Sequence, residues 1–436
     1  MPATRGRPHP TELLLCGHHY RASGQALAAA GADIFSLDGT PLTAGTWPEA
    51  AATEDPALGA GTGAAADSPA PRLVTEVRRG RGAAGPACWM REALRMTVRR
   101  HGDVAASFVV RAAVAAPSVH NSQPWYFSNR ESVIRLHSDP RRQLPQADPA
   151  GGEMVISCGA ALFNLRLAMR RLGFAADVTL LPDPSRPDLL AEIRWGRHAP
   201  PTPGEVALYR SIRLRHTHRG YFTSEMPSTL ALDLVRVARQ EQAELSVIYD
   251  TDQRRRLVGL IQAAEYTERT SPGLAAERMR WARPPGDQRP DGVSPRTYPA
   301  QPDGLQFLTR DFACGGGWGH AAGSRPDGPH ALGVVALLTT REDRRLGWLL
   351  AGQALQRVLL HAAAHGVSAA FHTLPLELPW TRERIRAEFT GGAYPQMLLR
   401  LGRGSSPAAT PRRAVADTLR AESYSGQAFG STRQSR

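Results

Sequence analysis

The run Ala116-Pro117-Ser118-Val119-His120-Asn121-Ser122-Gln123-Pro124-Trp125 holds the densest chemistry in the chain. Two prolines stiffen a polar loop that offers fixed backbone donors, a hydroxyl and an Asn amide to a flat heterocycle, with Trp125 as an apolar anchor. The same residues also read as a turn with an N-cap Ser and a core Trp, and residue types alone leave the two readings open. His120 is a candidate proton donor or a structural loop histidine. A second group, Arg215-His216-Thr217-His218-Arg219 with Arg412-Arg413 further on, has the forks and hydroxyl that hold phosphate. The Arg-x-Ser/Thr-x-Arg spacing recurs at Arg95-x-Thr97-x-Arg99 and in so Arg-rich a chain arises by chance about once. Cys16, His18 and His19 make half of a zinc set; with no Cys-x-x-Cys to complete it, no metal is expected. No Gly-x-Ser-x-Gly nucleophile occurs.

Composition narrows the classes. The chain has 436 residues, 42% hydrophobic and 21% charged, enough for two or three domains with a real core. The formal charge is +13, yet all 53 basic residues are arginine and they alternate with Asp and Glu, as in Arg341-Glu342-Asp343-Arg344. A solvated surface is expected, and no nucleic acid. No apolar run is long enough to span a membrane, and Thr11–Cys16 is too short for a signal core. With four scattered cysteines, a cytoplasmic location is expected.

These groups need positioning elements. Helical spacing of apolar residues predicts helices over 104–115, 158–172 and 349–365, the last two stopped by Gly173 and Gly366. Gly159-Ala-Ala-Leu162 and Gly352-Gln-Ala-Leu355 match at the same 193-residue offset as the two stopping glycines, which predicts two related halves. Strands are expected over 132–136, 177–181, 190–195, 244–249, 333–338 and 396–401. Together these give an α+β or α/β class. Residues 46–88, rich in Ala, Gly and Pro, read as a disordered linker, and the segment between Glu265 and Ala331 reads as a long loop or lid.

The 116–125 run resembles the Ala-Pro-Ser-x-x-Asn-x-Gln-Pro-Trp loop of the FMN-dependent nitroreductase superfamily. With Ile156–Arg166, Leu181-Pro-Asp-Pro184, Gly352–Leu360 and Tyr394–Gly402 in the same order, residues of about 100–415 resemble its Acg-like branch. Residues 11–40 resemble half of a small actinobacterial zinc-ribbon-like module whose upstream half is absent. The resemblance implies an α+β nitroreductase-like fold in which two halves of one chain imitate the superfamily homodimer: a unit at 1–45, the linker, halves at 89–200 and 201–415 with a lid at about 265–330, and a loose tail at 416–436.

The implied cofactor is FMN. Pro117, Ser118, Asn121 and Gln123 would contact it, with Ser118 and Asn121 fixing the ring's polar edge, and Arg215, Thr217, Arg412 and Arg413 would hold the phosphate. Arg219 would stand beside the ring's N1 and O2, and His372 and Thr373 near N5. His218 stands where the branch usually has Asn. No residue is assigned a catalytic role, because flavin N5 carries the chemistry. The implied activity is an NAD(P)H-dependent reduction of nitroaromatic, quinone or similar small aromatic acceptors by a monomer acting as an internal pseudo-dimer. The alternative is a quiet flavin-binding or storage protein whose lid covers the ring.

Overall fold

A computed structural model describes residues 34–35, 41–42, 102–220, 222–297, 310, 312, 331–404 and 410–421. The chain divides into two units, Met1–Arg81 and Gly82–Arg436. In the first, Ile34–Phe35 (β1) pairs antiparallel with Pro41–Leu42 (β2). The Cys16-His18-His19 cluster, the linker and Arg95–Arg99 lie outside the described residues.

The second unit is α+β. Its elements run α1 (Gly102–Ala113), β3 (Trp125–Arg130), β4 (Val133–Ser138), α2 (Gly152–Arg171), β5 (Phe174–Leu180), β6 (Leu189–His198), α3 (Pro203–Leu214) and α4 (Ser228–Arg239). There follow β7 (Glu244–Ile248), α5 (Thr251–Thr270), α6 (Pro272–Trp281), β8 (Val334–Thr340), α7 (Arg345–Ala364), β9 (Ser368–Phe371), α8 (Pro379–Phe389), β10 (Tyr394–Gly402) and β11 (Leu419–Ala421). Five strands form one sheet in the order β11-β3-β4-β6-β5, and four form another in the order β7-β8-β10-β9.

Strand β8 shows how sequence builds the second sheet. Its residues Val-Val-Ala-Leu-Leu-Thr-Thr are buried throughout, the mark of a strand covered on both faces. Val334, Ala336 and Leu338 enter a core with α4 and α7, while Val335 and Leu337 enter another with α5 and α8. That alternation is the two-residue period of a strand. The first sheet buries Trp125, Phe127, Ile134, Leu136 and Ile193 against α1 and α2.

Helices α2 and α7 meet at the centre. Both ends keep the 193-residue offset (152 to 345, 171 to 364), and the glycines after them, Gly173 and Gly366, have φ of 84° and 69°. Gly159 and Gly352 face one another: a Cβ on Gly352 would fall on Ile156 O and lie 2.8 Å from Gly159 Cα, and a Cβ on Gly159 would fall on Leu349 O. Nearby, Gln356 Nε2 donates to Asn164 Oδ1 at 2.8 Å inside the core.

Two expectations need correction. The stretch from Glu265 is not loop throughout, since α5 and α6 carry helix to Trp281. Its Pro-rich composition begins only after that point. Nor is the tail loose from Ala416, because β11 extends the first sheet by parallel pairing with Phe127–Asn129, and Arg420 lies 3.7 Å over the Tyr126 ring. A polar strand of this kind is made by its tertiary partner and leaves no periodicity in the sequence.

The glycine crossing gives the first prediction. Gly352→Ala has no space for its methyl group and the opposing atoms are backbone, so the helices must separate. Overpacking of this kind costs about 1–3 kcal/mol. Urea unfolding of Gly352→Ala should show that loss, whereas the open Gly259→Ala on α5 should be neutral or stabilising; equal stability of the two variants would refute the crossing.

Candidate functional site

The loop after α1 is strained. His120, Asn121 and Gln123 have φ of 49°, 55° and 50°, the left-handed region that non-glycine residues occupy at a cost. The surroundings hold it there. Ser118 Oγ accepts from Gln123 N at 2.9 Å. Asn121 Nδ2 donates to Gly292 O and Pro411 O, and its Oδ1 accepts from Arg412 at 3.0 Å. Gln123 Nε2 donates to Pro290 O at 2.8 Å, and its Oε1 accepts from Arg413 N at 2.8 Å. Both amides are therefore spent on clamping the loop to the segments after α6 and after β10.

The clamped loop forms one wall of a cleft with about 970 Å³ of empty space, mouth included. Pro117, Ser118, Thr217, Arg219, His372 and Thr373 all line it, bringing together three sequence-distant candidate groups. The Arg215–Arg219 segment reaches the cleft because His218 N donates to Ala369 O of β9 at 2.8 Å, beside His372. His218 itself stacks on Phe222 at 4.7 Å, so a ring at this position packs. Of the two residues expected near N5, His372 has its N–H engaged by Leu398 O, and its Nε2 accepts from Arg400 at 3.0 Å. Thr373 is left as the backbone-donor candidate.

Asn121, Gln123, Arg215, Arg412 and Arg413 do not line the cleft. Arg413 spends its guanidinium on Gln123 O, Trp125 O and Asp417 O, and so acts as a clip for the loop. Arg215 is different. It is 5% exposed, and among the described residues its Nε and Nη1 have no partner and its Nη2 makes only a long 3.5 Å contact to Ala115 O. Arg412 reaches the same carbonyl at 3.5 Å and leaves its own Nε unpartnered. Among the described residues neither they nor Arg219 has a carboxylate within ion-pair distance. Burial, then the charges of Arg412 and Arg219, push Arg215 down to about 9; burial also lowers Arg219 and Arg412 to about 10. Three desolvated cations, two of them with unfilled donors and the third, Arg219, lining the cleft and donating to Thr297 O at 3.3 Å, form an arrangement that an anion relieves.

The other chemistry in the cleft was not legible in the sequence. Glu153 and Glu265 line it, as do Arg310 and Phe312. Arg310 donates to His120 Nε2 at 3.0 Å and to Glu377 Oε1 at 2.6 Å. Because arginine only donates, His120 accepts with a neutral ring, and burial followed by the charges of Arg310, Arg219 and Arg278 holds its pKa well below the usual value. His120 is therefore an acceptor and not a proton donor. Phe312 meets its edge at 5.5 Å, and Arg219 lies 5.7 Å over the Phe312 ring. Among the described residues no cluster of three or more His, Cys, Asp or Glu could hold a metal, and no helix is long and apolar enough to cross a membrane.

The two kinds of buried group predict opposite mutational effects. Asn121→Ala removes the loop clamp and should destabilise the protein by about 1–3 kcal/mol. Arg215→Met removes a buried cation with no counter-charge and should leave the melting temperature of ligand-free protein unchanged or higher. A destabilised Arg215→Met protein would show that this arginine is structural.

No family model matches the chain. It is 34% identical over 318 residues to the Mycobacterium tuberculosis protein named "Putative NAD(P)H nitroreductase Rv3131", covering 71% of this chain and 90% of that one. It is 30% identical over 321 residues to "Putative NAD(P)H nitroreductase acg" of the same organism, covering 70% and 92%. Among solved structures, a putative nitroreductase from Anabaena variabilis is similar over 66% of this chain and 82% of its own, at 12% identity and a TM-score of 0.40. The FMN-dependent nitroreductase NfnB from Mycobacterium smegmatis in complex with NADPH is similar over 49% and 97%, at 18% identity and a TM-score of 0.32. Shared descent accounts for identity at this level across nine-tenths of a relative, and the chain belongs to the nitroreductase family.

Proposed function

We propose that the chain is an FMN-binding oxidoreductase that uses NAD(P)H to reduce nitroaromatic, quinone or similar small aromatic acceptors. The observation that carries this reading is the buried guanidinium of Arg215, with two donors unpartnered and Arg412 and Arg219 as its charged neighbours. Such a cluster suits a phosphate, whose oxygens would fill the donors and offset the charge. Thr217 adds a hydroxyl from the cleft wall, and Arg219 would place a cation at the ring's N1 and O2 edge. Pro117 and Ser118 would face the ring's polar rim, Thr373 its N5 side. Bound flavin supplies hydride acceptance and donation at N5. The residues of the chain bind, orient and shield it, consistent with the absence of any nucleophile motif.

The second reading, a quiet flavin-holding protein, draws on Arg310 and Phe312, which enter the cleft from beyond residue 297 and touch His120 and Arg219. The internal pseudo-dimer belongs to the proposal as well. Its support is the equal offset of α2 and α7 and the contact between Gly159 and Gly352. The 116–125 loop occurs once, so a single composite site per chain is expected.

Purified protein should bind one FMN per chain and bleach on anaerobic addition of NAD(P)H. Yellow, unbleached protein would favour flavin holding, and failure to bind flavin would overturn both readings. Losing a charged hydrogen-bond partner costs about 1.5–3 kcal/mol, so Arg215→Ala should weaken FMN by roughly ten- to a hundredfold. Equilibrium titration of flavin fluorescence measures this; unchanged affinity would remove the phosphate assignment.

A further inference from the structure

Around Arg310 the cleft carries more carboxyls than cations. Glu377 Oε1 binds Arg310 at 2.6 Å, and Glu268 binds Arg278 at 2.7 Å and Arg310 at 3.5 Å. Those three ion pairs use both cations. Arg382, the next nearest, is bound to Asp343 at 2.8 Å. Glu153 on the first turn of α2 and Glu265 on α5 both line the cleft, and among the described residues neither side chain forms an ion pair or hydrogen bond. Glu153 Oε2 is buried and unpartnered. A carboxylate desolvated beside other carboxylates is expensive, and the way out is to keep its proton.

The geometry points to Glu265 and Glu153 as the proton donors of the cleft, supplying to the acceptor the proton that must accompany its hydride. This rests on the proposed flavin-dependent reduction, with NAD(P)H as the source of the hydride. A quinone that takes a hydride gains two electrons and one proton. Its second oxygen then takes the proton of the carboxyl O–H, whose bonding pair stays on the carboxylate. With a nitro group, hydride plus one proton gives the nitroso compound and water as one N–O bond breaks. The carboxylate regains its proton from solvent at the cleft mouth.

The surroundings support this assignment. Facing Glu265 are Arg310, Glu268, Arg278 and Glu377; burial pushes it up to about 7, with Glu268 and Glu377 offsetting part of the lowering by the two arginines. Facing Glu153 are Glu377, Asp148, Arg310 and Arg382; burial, then the first two, holds it well above the usual carboxyl range. Asp148, itself pushed up to about 6 by burial, is capped by Met154 N at 2.8 Å and does not line the cleft. His120 is a neutral acceptor and cannot serve. A group that titrates near neutrality is matched to general-acid work, and this role contributes about a hundredfold or more.

The test uses FMN-loaded full chain and p-benzoquinone, with bleaching by NAD(P)H and reoxidation by the quinone followed separately. In the wild type, reoxidation should slow as pH rises through about 7, because the acid form is lost. Glu265→Gln and Glu153→Gln keep shape and neutrality but have no acidic proton. At least one should slow reoxidation tenfold or more beyond any change in bleaching, and Glu265→Gln should flatten the pH profile. Infrared difference spectra of unloaded protein supply a readout independent of turnover: a protonated carboxyl band should be present at pH 6 and weakened in each variant. Equal reoxidation rates in wild type and both variants, or no protonated band at pH 6, would overturn the assignment. Wild-type protein that never bleaches would instead overturn the reductase reading on which it rests.

Discussion

Two helices cross here with backbone against backbone, and the rest of the unit is arranged around that contact. Gly159 and Gly352 leave no room for even one carbon, so α2 and α7 approach closely enough for Ile156 O and Leu349 O to lie in van der Waals contact with the opposing helix. Each helix then buries its remaining faces against a separate sheet, α2 with the first and α7 with the second. That placement brings the loop after α1 to the end of β9, where the Arg215–Arg219 segment is tethered. Close packing means that this arrangement cannot be adjusted continuously, and a displaced helix would shift both walls of the cleft together.

Within this frame the cleft is left electrostatically unbalanced in two directions. One end holds arginines that no described carboxylate neutralises, and the other holds carboxyls that no cation neutralises. Pairing them with each other would have been the stabilising solution for an ordinary protein interior. On the proposed reading, the missing charges arrive with a bound phosphate and with a proton. The cost to the empty protein and the affinity for an anion have the same origin.

How much of this was legible in the sequence depended on how local the cause was. Helices α2 and α7 announced themselves through dense apolar spacing and terminal glycines, and their shared offset was readable as a repeat. The six expected strands alternate or run apolar, and each was found. Ser368–Phe371 is too short to show a period, and Leu419–Ala421 exists only because β3 offers an edge. Of the site, Ser118, Thr217, Arg219, His372 and Thr373 were readable through motif resemblance and do meet in one cleft. Asn121 and Gln123 were expected to face a ring and instead grip backbone 167–171 and 290 residues away, a role that no local pattern encodes. Glu153 reads as an ordinary acidic first-turn residue, and Arg310 is one arginine among 53 basic residues; only burial distinguishes them.

The loop clamp also depends on contacts made within one chain. Three left-handed non-glycine residues cost of order 1–3 kcal/mol each, so the loop persists only if its partners are always at hand. Those partners, Gly292, Pro290, Pro411, Arg412 and Arg413, all belong to the same chain as the loop. Intramolecular partners act at a high effective concentration that dilution cannot lower, whereas the same contacts supplied by a separate subunit would loosen with dissociation. Within one chain each half is also free of the symmetry that obliges identical subunits to carry identical sites. On the proposed composite-site reading, the 116–125 loop is needed in one half only, and its clamp comes from segments 290–292 and 411–413 of the other.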